Sequence, residues 1–90
     1  MTNSEGQRSY SYLSGELQRI GRTFKSALPS EAASLHLRVV EGCVQLDVYD
    51  AYGKRIGVFP KRRTMPSFRA ALERLGREKS PDPHGIVSPL

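Results

Sequence analysis

The chain has 90 residues, 38% hydrophobic and 26% charged, with a formal net charge of +5, a size that suits one small domain and leaves no room for a second core. Its longest apolar runs are two or three residues, far short of the ~20 that a membrane-spanning helix needs. The polar stretch 1–11 holds no apolar signal core, a single cysteine, Cys43, cannot build a disulfide framework, and cytoplasmic residence is the expectation.

Residues 1–12 are rich in Ser, Asn, Gln and Gly and are expected to form a flexible arm, with Tyr10 and Tyr12 as anchors. From Leu13 the apolar positions Leu13, Leu17, Ile20, Phe24, Ala27 and Leu28 recur at spacings of three and four, which predicts one helical stripe ended by Pro29. Ser11 or Ser14 is placed to cap its start. Gly15 and Gly21 lower its intrinsic propensity, so the helix needs packing to persist.

The period then changes to two. Leu35, Leu37 and Val39 alternate with His36 and Arg38, and Val44, Leu46 and Val48 alternate with Gln45, Asp47 and Tyr49, the pattern of strands with one buried face. A two-residue turn at Glu41-Gly42 would pair Val39 with Val44, Leu37 with Leu46 and Leu35 with Val48, putting all their side chains on one side. The next turn, from Asp50 to Lys54, has Gly53 where a bulged loop needs a positive φ. Pairing Asp50 with Lys54 predicts Val48 opposite Ile56 and Leu46 opposite Val58.

After Pro60 a basic link leads to a second helical stripe, Met65, Phe68, Ala71 or Leu72, and Leu75, with Thr64 and Pro66 at its start. The closing SPDPHGIVSPL (80–90) has three prolines and no periodicity, and a disordered tail is expected. The prediction is an α+β domain over 13–79, ordered α-β-β-β-α, with both helices on one face of a three-stranded antiparallel sheet.

That register assigns His36, Arg38, Val40, Cys43, Gln45, Asp47, Tyr49, Arg55, Gly57 and Phe59 to the open face. Aromatic and arginine side chains on a flat face suit a protein interface, because they combine contact area with directional hydrogen bonds. Arg38, Tyr49, Arg55 and Phe59 are the expected anchors, with Asp47 fixing orientation. The alternative is an ordinary solvated sheet.

Catalytic groups are sparse. His36 beside Asp47 has the form of an oriented base, but Cys43 lies beyond hydrogen-bond reach of His36 across the hairpin and no Gly-rich element offers an oxyanion hole. The remaining histidine, His84, falls in the tail, so no zinc set is expected. The expectation is a non-enzymatic protein without cofactor or metal.

The positive charge is concentrated late in the chain, where residues 61–90 carry seven basic and three acidic groups. Lys61, Arg62 and Arg63 have no acidic neighbour in sequence and are candidates for contact with phosphate or an acidic partner. On the second helix Arg69 with Glu73, Glu73 with Arg77 and Arg74 with Glu78 are spaced for i,i+4 pairing, which predicts a solvated, self-neutralised face.

Two family resemblances follow from these residues. The α-β-β-β-α order with basic residues ahead of the last helix looks like the double-stranded RNA-binding domain; in FPKRRTMPSFRAAL (59–72) only Lys61, Arg62 and Arg63 stand where that family has phosphate-contacting lysines. The segments ALPSEAASLHL and VQLDVYDAYGKRIGVF resemble, over 13–60, small bacterial immunity proteins and antitoxins of the YezG-like sort. This second resemblance implies an inhibitor that binds a cognate toxin, and the basic chain implies an acidic patch on that toxin. A protein-binding, immunity-type role is the primary expectation, and a nucleic-acid-binding module is the alternative.

Overall fold

The computed structural model describes residues 5–79 and 85–90. Helix α1 (Glu5–Thr23) is followed by a short 3-10 turn, Lys25–Ala27, then by strands β1 (Ser34–Val40), β2 (Cys43–Tyr49) and β3 (Arg55–Phe59), helix α2 (Pro66–Lys79) and strand β4 (Ile86–Pro89). The antiparallel sheet runs β3-β2-β1-β4. The α+β class with two helices and an antiparallel sheet is as expected; the sheet has four strands, not three, and the order gains a strand after α2.

The predicted arm and tail are revised where the structure describes them. Residues 1–4 and 80–84 lie outside the described residues, but the helix begins at Glu5 rather than Leu13, and 86–89 form a strand. β4 pairs Ile86 with Leu37 and Ser88 with Leu35, and both Ile86 and Ser88 are fully buried. Its short alternation of buried and exposed residues puts one face in the core.

The β1–β2 hairpin follows the predicted register residue for residue, from Leu35 opposite Val48 to Val39 opposite Val44. Its turn holds Glu41 at φ 53° and Gly42 at φ 80°, the two positive values of a hairpin turn whose twist matches its strands. At the next turn Asp50 N donates to Lys54 O at 2.9 Å. Asp50 Oδ1 accepts from the backbone N–H groups of Tyr52 and Lys54, and Gly53 takes φ 82°. That pairing was expected; the register beyond it was not.

An irregularity at Val48/Tyr49 leaves Tyr49 opposite Arg55 but Val48 opposite Gly57, so Ile56 is an extra residue. Asp47 then faces Val58, and Leu46 faces Phe59. A one-residue slip sends every following side chain to the other side of the sheet. Phe59 and Gly57 therefore belong to the helix-covered face and Val58 to the open one, the reverse of the expectation.

The core lies between sheet and helices. Leu17, Leu28, Leu35, Leu37, Leu46, Val48, Phe59, Phe68, Leu72, Leu75 and Ile86 form one buried cluster. Phe68 stacks on Phe24 with ring centroids 4.8 Å apart and meets Phe59 at 5.7 Å. Of the predicted stripe on α2, Met65 is the exception and is exposed. Two glycines set how closely the helices approach. A Cβ on Gly21 would stand 2.6 Å from Leu35 Cδ1, and one on Gly76 would stand 2.3 Å from Val44 Cγ1.

Candidate binding surface

With both helices on one side, the other side of the sheet is left to His36, Arg38, Gln45, Asp47, Tyr49, Val58 and Val87. Register places Asp47 at its centre, directly between His36 on β1 and Val58 on β3. Although no helix covers it, Asp47 is 1% exposed. Arg38 Nη2 donates to Oδ2 at 2.8 Å, Gln45 Nε2 donates to Oδ1 at 3.0 Å, and Arg55 Nη1 stands 3.7 Å from Oδ1. A carboxylate removed from water needs this replacement of its hydration, and two guanidinium groups with an amide supply it.

The same contacts hold the arginines. Arg38 and Arg55 keep 38% and 55% of their side chains exposed, so each is held by the carboxylate while part of its side chain stays in solvent. Within the described residues Arg38 Nε is buried and makes no hydrogen bond. The backbone entering β4 crowds this corner: at Gly85, with φ 79°, an added Cβ would meet His36 Nε2 at 2.8 Å and Leu37 O at 2.6 Å. Any side chain there would collide with β1.

The expected anchors separate. Arg38 and Arg55 converge on Asp47, and Tyr49 lies half-buried beside them. Phe59, 9% exposed, is a core residue and leaves the set. Val58, Val87 and Gln45 join the surface, Val58 because of the bulge and Val87 because 86–89 is a strand. Cys43, exposed, pairs with Val40 at the hairpin end, four register positions from the His36–Asp47 pair, or roughly 13 Å along the strand.

Lys61, Arg62 and Arg63 occupy the exposed turn between β3 and α2. Thr64 N donates to Lys61 O at 3.1 Å, and Arg69 Nη2 donates to the same carbonyl at 2.9 Å. Lys61 Nζ lies 5.4 Å from the centre of the Phe59 ring, a cation–π distance. The predicted Arg69–Glu73, Glu73–Arg77 and Arg74–Glu78 pairs are not among the ion pairs of the described residues, which are Arg19–Glu16, Arg38–Asp47 and Arg55–Asp47. The α2 arginines thus add to the positive field of residues 61–63 without a direct ion pair among the described residues.

Among the described residues no helix is long and apolar enough to cross a membrane. Comparison with protein-family models, curated proteins and solved structures gives no match.

Proposed function

We propose that this chain is a non-enzymatic binding module, resident in the cytoplasm, that engages a protein partner through the helix-free face of its sheet. The observation that carries this reading is the convergence of Arg38 and Arg55 on the buried Asp47. An arginine already held by a carboxylate loses less freedom when a partner docks, and the guanidinium keeps N–H donors beyond the one that the carboxylate takes. Tyr49 and the apolar Val58 and Val87 alongside supply contact area. The surface offers more positive than negative charge, so its complement is an acidic patch.

The immunity-type role is the specific form of this reading in which the partner is a toxin. It draws on the resemblance of residues 13–60 to YezG-like proteins and on the implied acidic patch. The resemblance to the double-stranded RNA-binding domain is weakened by β4, which follows α2 and pairs with β1.

Alanine at Arg38, Tyr49 and Arg55 together is expected to lower affinity for the partner by at least about tenfold, since aromatic and arginine anchors dominate such surfaces. Unchanged affinity in a folded triple variant would remove the assignment. A second reading, nucleic-acid binding, is favoured by one observation: Lys61, Arg62 and Arg63 are all exposed, and no described ion pair uses them. It predicts binding that weakens steeply with salt and is lost when these three become alanine.

A further inference from the structure

Among the described residues β3 is an edge strand, with β2 on one side and no strand on the other. Among the described residues, the backbone hydrogen bonds outside the helices and sheet ladders use none of residues 55–59. Such an edge offers a row of backbone donors and acceptors to an extended chain. The opposite edge is less available: Ser14 Oγ on α1 donates to the Val87 carbonyl at 2.8 Å, and Pro89 brings no N–H.

Two other features adjoin β3. Cations flank it, with Lys54 and Arg55 at its start and Lys61, Arg62 and Arg63 just past its end, all exposed. Beside Phe59 lies a cavity of about 320 Å³, with Ala27, Met65 and Phe68 among its walls and Lys61 and Arg63 among its charged lining.

We infer that the β3 edge and this cavity form one docking site for an extended acidic segment of a partner protein. The segment adds as a strand along residues 55–59. Because strand side chains alternate between faces, one that falls on the helix side near Phe59 enters the cavity, and it is apolar to match Ala27, Met65 and Phe68. Carboxylates elsewhere on the segment meet Lys54, Arg55, Lys61 and Arg63. A second copy of this chain does not suit the edge, since its β3 would bring the same cations face to face; an acidic segment turns that repulsion into attraction. The inference shares with the proposed function the premise of a protein partner; its site adjoins the open face, with Arg55 and Val58 common to both, and does not use Arg38 or Tyr49.

The test titrates the ¹⁵N-labelled full chain with blocked octapeptides of alternating Glu-Leu and Glu-Phe, with alternating Lys-Leu as the control, reading amide shifts and hydrogen exchange. The acidic peptides are expected to slow exchange within residues 56–59. Binding should weaken roughly tenfold or more in the Lys61→Glu/Arg63→Glu variant and in Met65→Asp, both confined to exposed positions. Arg38→Ala/Tyr49→Ala should leave peptide affinity unchanged, which separates this site from the open face: partner binding can fail there while peptide docking holds, or the reverse. No slowed exchange in β3 with any acidic peptide, equal binding of the Lys-Leu control, or indifference to charge reversal would overturn the inference. So would oligodeoxythymidine binding to these residues where the peptides do not.

Discussion

Arg38 Nη2 donates at 2.8 Å to Oδ2 of Asp47, a carboxylate almost wholly buried on the side of the sheet that no helix covers. Arg55 is the more distant partner, at 3.7 Å and with more of its side chain in water. The two arginines are therefore unequal. Arg38→Ala leaves a buried carboxylate without its nearest charged donor and is expected to cost about 1–3 kcal/mol, allowing for its partial exposure and for the donors that remain. Arg55→Ala should cost less than about 1 kcal/mol. Urea unfolding of both variants measures the difference, and equal losses would contradict the arrangement.

Helix glycines should respond in opposite directions. Nothing lies within 4 Å of where a Cβ on Gly15 would stand, so Gly15→Ala is expected to stabilise by about 0.5–1 kcal/mol through helix propensity. At Gly76 the added carbon meets Val44 Cγ1, the end of a short and stiff side chain. Gly76→Ala should destabilise by about 1–3 kcal/mol despite the same gain in propensity, and Val44→Ala in the same chain should recover part of the loss. Thermal unfolding of the set checks both signs.

The last strand is predicted to be part of the folded unit. Ile86→Ala removes a fully buried side chain and is expected to cost about 2–5 kcal/mol. Deleting residues 85–90 should cost more, because it also uncovers Leu35 and Leu37 along β1. Unchanged stability after the deletion would return this segment to a tail.

The bulge makes its own prediction. With Phe59 in the core and Val58 on the open face, Phe59→Ala should cost about 3–5 kcal/mol and Val58→Ala only about 1 kcal/mol. The reverse order, measured by the same denaturant titration, would restore the unbulged register.

These residues also show where the sequence was readable. Between β1 and β2 the alternation of Leu and Val with polar residues is strict and Glu41-Gly42 allows one turn geometry, so register followed. In β3, Ile56, Val58 and Phe59 are all apolar and Gly57 has no side chain, so either face satisfied the hydrophobic pattern; the choice was made by packing, with Pro29 Cγ 3.6 Å from where a Gly57 Cβ would stand. β4 carried too weak a signal, since Ile86-Val87-Ser88-Pro89 is short and lies among prolines. Of the surface, Asp47 beside His36 was legible from pairing. Its burial was not, because that depends on arginines reaching diagonally from β1 and β3.

Affinity capture of the tagged full chain from its own cell lysate, with and without nuclease, beside the Arg38→Ala/Tyr49→Ala/Arg55→Ala variant, separates a protein partner on the open face from bound nucleic acid. The expected result is a stoichiometric protein partner that survives nuclease and is lost from the variant; toxicity of that partner's isolated domain would specify the immunity role. A bound fraction that vanishes with nuclease, or a partner retained equally by the variant, would contradict the proposed function.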